Sequence, residues 1–302
     1  EYLLRYDTVH GRFPHDVRVV GDYMYVRGQQ IRLVNAKEPG DVDWQGLGVD
    51  VVVESTNRYR RREHLQKHLD RGAGRVILAS PPKAGEKLDA LVVVGVNDSA
   101  VGPDDRIIST GSCTINAVAP VLQVFEQNFG IEHAFMTSIH AYTNDQRLAD
   151  VPHADLRRSR AAAENIIPTK TYSPAGIGDV LPSLAGKLTG MAMNVPVPDG
   201  SNVDLTCRMS RPVDQDQVNE VIRSAASSTH RNIIGFVEDP IVSSDVVGTD
   251  QSAVFDGLAT MVLDETLVKV LVWYDNGWGY AYRMLELAKM LDAHIQAEEV
   301  VS

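Results

Sequence analysis

Short runs of apolar residues, separated by turn signals, make up the first third of the chain. Residues 17–34 alternate between apolar and polar positions, which predicts short antiparallel strands. Residues 49–54 form a continuous β-branched run, typical of a strand covered on both faces, and residues 60–71 have the pattern of a helix. Residues 75–79 and 91–96 predict two more buried strands. This strand–helix–strand order indicates a parallel sheet of the doubly wound type.

After residue 112 the pattern of apolar residues no longer predicts alternating strands and helices. An apolar helix is predicted at residues 118–125, and further helices at residues 213–227 and 277–294. Strands are predicted at residues 134–141, 190–197, 201–209, 232–238, 257–262 and 268–274. These strands indicate a mixed or antiparallel sheet. The predicted fold class is therefore α/β: a doubly wound (Rossmann-type) parallel sheet with a second, α+β domain built on a mixed or antiparallel sheet.

One segment, residues 142–168, is long, irregular and charged. Irregular segments of this length inside compact domains are usually functional. The arginines at positions 157, 158 and 160 of this segment have two interpretations: a solvated or intersubunit face, or a site for an anion.

The stretch at residues 109–120, STGSCTINAVAP, joins a strand-like run to the apolar helix. Ser112 stands where a helix N-cap is expected, and Cys113 where the first helical residue is expected. The N-terminus of a helix stabilises negative charge, so a thiol at this place more easily becomes a nucleophilic thiolate. The alternative is an inert, buried Cys at a strand–helix junction, and the spacing alone leaves both interpretations open.

A nucleophilic Cys113 requires a base, and the candidate is His140 on the strand that follows the helix. A lone His on a strand is more often a structural hydrogen-bonding residue. Here the polar residues 143–145 follow it, which suits a pocket. A Cys–His pair that shares a proton could act as nucleophile and acid–base catalyst.

The net charge of the chain limits the kinds of molecule that it could bind. The chain of 302 residues carries 29 basic and 40 acidic residues, a formal net charge of −11. This charge argues against binding of nucleic acid or of a membrane surface, because both are anionic. No apolar run approaches the ~20 residues of a membrane span.

The two cysteines, Cys113 and Cys207, make no disulfide framework, so we expect a cytoplasmic location. We predict no metal site.

Residues 112–116, SCTIN, resemble the SCTTN signature of the phosphorylating glyceraldehyde-3-phosphate dehydrogenases. Ordered matches to that family extend over nearly the whole chain, at residues 7–13, 95–97, 140–146, 155–158, 165–168 and 273–276. The resemblance implies an oxidoreductase of glycolysis that uses NAD and converts a phosphorylated aldehyde, with inorganic phosphate, to an acyl phosphate.

The resemblance implies covalent catalysis on Cys113. Its thiolate would attack the aldehyde to give a thiohemiacetal, and His140 would take the hydroxyl proton while hydride passes to the nicotinamide. The backbone N–H of Cys113 and the imidazole would stabilise the oxyanion. Inorganic phosphate would then attack the thioester.

The resemblance also implies which residues bind the ligands. The residues that would bind the substrate phosphate and the attacking phosphate are Ser112, Thr114, Thr143, Asp145, Arg158, Thr171 and Asn194. Thr56, Asn276 and Tyr280 would bind the cofactor, with Asn276 holding the nicotinamide carboxamide. The apolar residues 151–152 favour NAD over NADP.

The chain departs from the family pattern at several positions. Asn194 replaces an Arg of the substrate-phosphate site. The other departures are Tyr172 and Asn57, each in place of a Gly, Gly277 in place of a Glu, and Tyr282 in place of an Asn. The family's glycine-rich loop and first strand are not found in the sequence. We therefore expect the parallel sheet to be incomplete at its N-terminus and the natural protein to be longer.

The resemblance implies a division into three parts. Residues 1–112 would form a partial dinucleotide-binding domain, residues 113–276 the catalytic domain, and residues 277–302 a C-terminal helix that returns to the first domain. It also implies a homotetramer, in which residues 142–168 pack between subunits.

Two other functions stay open at this point. One is that of an erythrose-4-phosphate dehydrogenase, because these enzymes share the same motifs. Residues 175–177 resemble the corresponding residues of that subgroup. The other is that of a non-catalytic binding paralogue. Asn194 and the missing glycine-rich loop favour this second alternative, and the presence of Cys113 and His140 opposes it.

Overall fold

The computed structural model describes residues 1–301, with side chains described for all of these except residues 294 and 296–301. In this range the α-helices are α1 Tyr2–Arg5, α2 Trp44–Leu47, α3 Arg62–Asp70, α4 Cys113–Phe129, α5 Ser173–Val180, α6 Gln215–Ser227 and α7 Trp278–Val301. The strands are β1 Tyr6–Asp7, β2 Gly11–Arg12, β3 Val17–Val20, β4 Tyr23–Val26, β5 Gln29–Arg32, β6 Val51–Glu54, β7 Arg75–Leu78, β8 Ala90–Leu91, β9 Ile107–Ser109, β10 Ile131–Ala141, β11 Ile167–Thr169, β12 Leu188–Val195, β13 Ser201–Met209, β14 Ile234–Val237, β15 Ala253–Asp256, β16 Met261–Leu263 and β17 Leu267–Tyr274.

Strands β6, β7, β9 and β8 form, in that order, a fully parallel sheet. The residues of β7 alternate between two apolar faces. Val76 and Leu78 cluster with Leu65 of α3, whereas Ile77 belongs to the main core, which also contains Leu287 of α7. Helices therefore cover both faces, which confirms the predicted doubly wound sheet.

Strands β6 and β8 differ from the prediction. Val53 in β6 is 42% exposed, so this edge strand is not covered on both faces. Strand β8 ends at Leu91, although residues 91–96 were predicted to be extended. The Asn97 side chain accepts the Val93 N–H and donates to the Leu91 carbonyl, each at 2.8 Å. These bonds satisfy the backbone in a turn, so the apolar run marks burial without a strand.

The strands predicted within residues 17–34 are present. Strands β3, β4 and β5 form an antiparallel sheet of their own. The short antiparallel hairpin β1–β2 precedes them.

The second half of the chain is built on a mixed sheet, as predicted. Its strand order is β11-β12-β10-β13-β17-β15-β14, with β16 paired to β17. Helix α4 lies over one face and contacts α5 and α6 as well. On β10, Met136 is buried in the core with Val121 and Phe125 of α4, while the neighbouring Phe135 is 66% exposed on the other face. The catalytic candidates lie on the face that α4 covers.

The strand predicted at residues 257–262 is wrong. Strand β15 ends at Asp256, a 3-10 helix follows at Gly257–Ala259, and β16 comes after it. The Asp256 carboxylate accepts the N–H groups of Leu258 and Ala259, at 3.1 Å each, and so caps a turn at this place. Helix α5 was not predicted, because its sequence SPAGIGDV is short and holds two glycines.

Helix α7 packs against β6, β7 and α4, so the C-terminal helix returns to the parallel sheet. The domain boundaries at residues 112 and 276 stay a prediction. Among the described residues, none of the helices combines the length and the apolar character that crossing a bilayer requires.

Candidate active site

Cys113 is the first residue of α4 and follows a tight turn at the end of β9. The turn contains Gly111, whose φ of +67° is a conformation that L side chains rarely adopt. Ser112 caps the helix as predicted, because its Oγ accepts the N–H of Ile115 at 3.2 Å. Asn116 donates to two carbonyl groups of the turn, at 2.8 and 3.0 Å. The sulfur is thereby held at a helix N-terminus, beside the backbone N–H groups of the first turn.

His140 lies next to Cys113, with Sγ and Nε2 3.4 Å apart. The other ring nitrogen, Nδ1, is 2.7 Å from the carbonyl oxygen of Ala141. Because a carbonyl oxygen only accepts, Nδ1 carries a proton, and in the neutral ring Nε2 can take the proton of the thiol. The structure therefore brings the two predicted catalytic residues together, and we refer to them as the Cys–His pair.

The charge state of His140 follows from its surroundings. Burial alone would lower the pKa of His140, but the negative sulfur of Cys113 and the hydrogen bonds to Cys113 and Ala141 raise it above its ordinary value. A proton that reaches Nε2 is therefore held more firmly than on an ordinary histidine. Cys207 lies in the core, and burial raises the pKa of its thiol to about 12.

Tyr274 is buried next to the Cys–His pair. Its hydroxyl is 2.9 Å from Thr114 Oγ1 and 3.1 Å from Ser138 Oγ, and its ring lies edge to face against the His140 ring with centroids 6.0 Å apart. Burial raises the pKa of Tyr274, so its hydroxyl stays neutral. Thr114, predicted as a ligand-binding residue, thus has its hydroxyl paired inside the protein.

Three hydroxyl groups lie in a row beside Cys113. Ser112 Oγ is 3.5 Å from Ser173 Oγ, and Thr171 Oγ1 donates to Ser173 Oγ at 3.0 Å. The structure thus links Ser112 and Thr171, both predicted phosphate ligands, through a residue that the sequence analysis missed. Hydroxyl groups are suitable donors to the oxygens of an anion.

Arg158 is half-buried in the long irregular segment. Its Nε donates to Thr169 Oγ1 at 2.9 Å, and its Nη1 forms an ion pair with Asp145. Thr143 is exposed, and its backbone N–H donates to Gln146 Oε1 at 2.8 Å. The predicted ligands Arg158 and Asp145 therefore contact each other. In the described part of the chain, neither they nor Thr143 hydrogen-bond to the Cys–His pair.

Asn194 is aligned with His140 in the neighbouring parallel strand. Side chains at aligned positions point to the same face of a sheet, so Asn194 shares the face of the Cys–His pair. Asn194 is only 8% exposed. Its side chain makes no hydrogen bond to any described residue. The neutral amide supplies no charge at this place.

Two residues predicted to bind the cofactor, Asn276 and Tyr280, lie close to the Cys113 turn and to β13. The Tyr280 hydroxyl donates to the Gly111 carbonyl at 3.1 Å and is 2.6 Å from Thr110 Oγ1. Asn276 precedes α7, and its Oδ1 accepts a hydrogen bond from Ser201 Oγ at 2.8 Å. Tyr280 therefore braces the turn that carries Cys113, and Asn276 is anchored to β13.

Thr56 lies just past β6, at the carboxyl edge of the parallel sheet. Its N–H and its hydroxyl both donate to Glu54 Oε1, at 2.8 and 2.5 Å. Strand β7 separates β6 from β9, so Thr56 is at the same edge as the Cys113 turn but two strands away. The crevice at this edge is where open parallel sheets bind ligands.

Two departures from the family pattern have a visible structural basis. Asn57 adopts φ +58°, the left-handed conformation that suits the glycine expected there. The hydroxyl of Tyr172 donates to Asp179 at 2.9 Å, and burial raises the pKa of Tyr172 to about 12. A Cβ atom on Gly176 would lie 2.8 Å from the Tyr172 ring. Tyr172 therefore fills the space above α5.

Sequence reasoning missed Ser173 and Ser201. A signal for Ser201 exists, because it occupies the first position of the apolar face of β13 that continues with Val203 and Leu205. Ser201 is fully buried. A polar residue in an otherwise apolar alternation requires hydrogen-bond partners. No comparable pattern surrounds Ser173.

His10, Asp199 and Asp275 have potential ligand atoms within 4.8 Å of one another, and such donors could hold a metal ion. The Asp275 carboxylate already accepts three backbone N–H groups. Burial, together with the like charge of Asp275, raises the pKa of Asp199. A raised pKa makes Asp199 a weaker ligand for a cation than an ordinary carboxylate.

Two family models match the chain. The model of the glyceraldehyde 3-phosphate dehydrogenase C-terminal domain matches residues 112–276. The model of the glyceraldehyde 3-phosphate dehydrogenase NAD binding domain matches residues 1–62.

Curated relatives match over most of the chain. Glyceraldehyde-3-phosphate dehydrogenase 2 of Streptomyces avermitilis is 46% identical over 287 residues, which cover 95% of this chain and 85% of the relative. Glyceraldehyde-3-phosphate dehydrogenase of Geobacillus stearothermophilus is 45% identical over 288 residues, with the same two coverages. Glyceraldehyde-3-phosphate dehydrogenase 2 of Bacillus subtilis is 41% identical over 301 residues, which cover 99% of this chain and 88% of the relative.

Proposed function

The chain belongs to the glyceraldehyde 3-phosphate dehydrogenase family, and from this membership we propose that it oxidises glyceraldehyde 3-phosphate to an acyl phosphate. The observation that carries the proposal is the Cys–His pair, with Sγ and Nε2 3.4 Å apart at the start of α4. The enzyme is an NAD-dependent oxidoreductase, since it belongs to this family and the NAD binding domain model matches its residues 1–62.

The residues of the chain support a covalent route. Cys113 gives its proton to His140 Nε2, and the thiolate attacks the aldehyde carbon to form a thiohemiacetal. The His140 imidazolium returns this proton to the oxygen of the thiohemiacetal, and the neutral ring then takes the hydroxyl proton as the carbon is oxidised and the thioester forms. The phosphate oxygen attacks the thioester carbon, and the Cys113 thiolate leaves as the acyl phosphate is released. The N-terminus of α4 favours the negative charge on sulfur and on the carbonyl oxygen.

The cofactor NAD, when bound, supplies the hydride acceptor. The residues fit this group at the carboxyl edge of the parallel sheet. Asn276 is half-buried, and its amide nitrogen makes no hydrogen bond to a described residue, so it is free to bind a carboxamide. Tyr280 and Thr56 lie at the same edge.

For the phosphate groups we propose two clusters. The first is the hydroxyl row of Ser112, Thr171 and Ser173, next to Cys113. The second is formed by Arg158, Asp145 and Thr143 in the long irregular segment, where Arg158 supplies the positive charge. Asn194 lies on the face of the Cys–His pair and would contact the substrate through its amide.

A single kinetic experiment tests the proposed function. NADH formation is followed by stopped flow with glyceraldehyde 3-phosphate and with erythrose 4-phosphate, each with and without inorganic phosphate. We expect sustained turnover only with glyceraldehyde 3-phosphate and phosphate together. Faster turnover of erythrose 4-phosphate without phosphate would favour the alternative dehydrogenase, and no NADH with either aldehyde would favour a binding paralogue.

We also propose that the protein is a cytoplasmic homotetramer. The two free cysteines support a reducing compartment. Large apolar side chains are exposed in the long irregular segment, at Leu148, Leu156 and Ile166. Phe135 is exposed on the open face of the mixed sheet. Exposed apolar surface of this extent is typical of an interface.

A further inference from the structure

Three loops lie side by side at the carboxyl edge of the parallel sheet, where they follow β6, β7 and β9. The first, residues 55–60, contains Thr56, which we assign to the cofactor. The third, residues 110–112, leads to Cys113. The middle loop, residues 79–83 with the sequence ASPPK, has no part in the proposed function. Loops at a sheet edge are mobile, so bonds between them decide whether they keep a fixed spacing.

Arg60 joins the first loop to the middle one. Pro81 and Pro82 have no backbone N–H, so the middle loop offers only their carbonyl groups to its neighbours. The Nε of Arg60 donates to the Pro81 carbonyl at 3.0 Å, and its Nη2 donates to the Pro82 carbonyl at 3.4 Å. In return, the Lys83 N–H donates to the Arg60 carbonyl at 2.9 Å. Side chain and main chain of one residue thus connect the two loops.

The surroundings of Arg60 suit a bridge better than an ion pair. Its Nη1 donates to Oδ1 of Asn57 at 3.4 Å, an acceptor that a glycine at position 57 would not supply. All these acceptors are neutral. The other arginines of this run pair with carboxylates: Arg58 with Glu38, Arg61 with Glu86 and Arg62 with Asp89.

Ser109 joins the middle loop to the third. It is buried at the end of β9. Its Oγ donates to the Ser80 carbonyl at 2.8 Å and accepts the N–H of Gly111 at 3.0 Å. Gly111 belongs to the turn that carries Cys113. The bonds of Arg60 and Ser109 therefore run without a break from the Thr56 loop to the Cys113 turn.

We propose that Arg60 is a positioning residue that holds the Thr56 loop and the Cys113 turn at the spacing that hydride transfer requires. The rate of such a transfer depends steeply on the distance and alignment of the reacting groups. This inference rests on the proposed function, since it requires that NAD binds at this edge of the sheet.

The kinetic test compares Arg60→Ala with Arg61→Ala, which removes the neighbouring arginine and its ion pair with Glu86. In a single turnover at saturating NAD, we expect Arg60→Ala to form NADH about tenfold more slowly than wild type, because the loosened loops align the reacting groups less often. Alkylation of Cys113 by iodoacetamide should keep the wild-type rate, since Asn116 still holds its turn. Arg61→Ala should match wild type in both measurements.

Hydrogen exchange of the full chain without cofactor tests the bridge itself. The amide of Lys83 donates to the Arg60 carbonyl, so it reports whether the first two loops stay together. We expect this amide to exchange about tenfold faster in Arg60→Ala than in wild type, the effect of losing about one hydrogen bond. Arg61→Ala should leave its exchange unchanged.

Arg60→Lys separates positioning from charge. It keeps the positive charge but lacks the planar group that reaches two carbonyls, so its NADH formation should stay slow. Wild-type NADH formation in Arg60→Lys would assign the effect to charge and overturn the positioning role. An unchanged rate in Arg60→Ala, or an equal fall in Arg61→Ala, would also overturn it.

The two measurements keep this inference distinct from the proposed function. If wild type forms no NADH, the proposed function fails and the role in hydride transfer fails with it, whereas the exchange of Lys83 still shows whether the bridge exists. Should Arg60→Ala not fold, Arg60→Met keeps the apolar stem of the side chain and removes its donors. Its NADH formation should be as slow, and a wild-type rate would refute the proposal.

Discussion

At the scale of single residues, the proposed chemistry depends on where the proton of His140 lies. The Ala141 carbonyl holds Nδ1–H, so only Nε2 is available to Cys113. The sulfur in turn raises the pKa of the ring. The sulfur therefore favours the charged form of the base.

The raised pKa of His140 gives a prediction for stability against pH. The folded state binds the proton more tightly than the unfolded chain, whose His has the ordinary value of 6.5. The protonated ring thus contributes stability that is complete below the unfolded pKa and is lost as pH rises through the folded pKa. We expect the difference in free energy of unfolding between wild type and His140→Asn, measured by urea titration, to shrink as pH rises. A difference that grows with pH would contradict this.

Asn194 gives the second prediction. Asn194→Arg restores a guanidinium where the resembling family has one, and Arg binds phosphate with a planar, permanently charged group. A hydrogen bond to a charged group is worth about 1.5–3 kcal/mol, so we expect KM for glyceraldehyde 3-phosphate to fall about tenfold, with kcat less affected. Asn194→Gln, which is longer but neutral, is the control and should not lower KM. An unchanged or higher KM in Asn194→Arg would mean that the pocket is built for another substrate.

The sequence predicts local features of the site better than distant contacts. Ser112 and Cys113 were placed correctly because an N-cap and the first turn of a helix are set by neighbouring residues. The contact between Ser201 and Asn276 joins residues 75 positions apart. No local pattern encodes such a pair, and only the register of β13 with β17 brings it together.

At the scale of elements, α4 and α6 both begin with a side-chain cap. Ser112 accepts the N–H of Ile115 at 3.2 Å, and Asp214 accepts the N–H of Gln217 at 2.8 Å. The first cap lies beside the Cys–His pair, and the second belongs to a helix away from it.

These caps form a matched pair of variants. Ser112→Ala and Asp214→Ala should each lower the free energy of unfolding by about 1 kcal/mol, measured by urea titration, because each removes one cap bond. Only Ser112→Ala should also lower kcat/KM, since Ser112 is also part of the hydroxyl row beside Cys113. Equal activity of the two variants would show that Ser112 acts as a cap alone.

Helices and strands were predicted well where the periodicity of apolar residues matches the hydrogen bonding of the backbone. Strand β13 has the bounds that the pattern indicated. The predictions at residues 91–96 and 257–262 failed for a shared reason. At both places a polar side chain, Asn97 or Asp256, hydrogen-bonds the nearby backbone and holds a turn within an apolar stretch.

At the scale of the whole molecule, one face of the mixed sheet is packed under α4, and the other carries exposed apolar residues such as Phe135, 66% exposed, and Met191, 36% exposed. The irregular segment adds Leu148 at 88% and Leu156 at 82%. A single chain does not cover these groups, so association of copies is the simplest way to bury them.

We expect light scattering of the wild type at micromolar concentration to give the mass of a tetramer. Leu148→Asp combined with Leu156→Asp should give smaller species, because two charges would enter the interface. Val242→Asp changes an exposed apolar residue outside that segment and should leave the mass unchanged. A monomeric wild type would refute the proposed assembly.

The most direct test of the central claim is to trap the intermediate on Cys113. The protein is mixed with NAD and glyceraldehyde 3-phosphate in the absence of inorganic phosphate, quenched with acid, digested and analysed by mass spectrometry. We predict an acyl adduct on the peptide that contains Cys113, none on the peptide of the buried Cys207, and disappearance of the adduct when phosphate is added before the quench. NADH formation without any adduct on Cys113, or with an adduct that phosphate does not remove, would contradict the proposed thioester route.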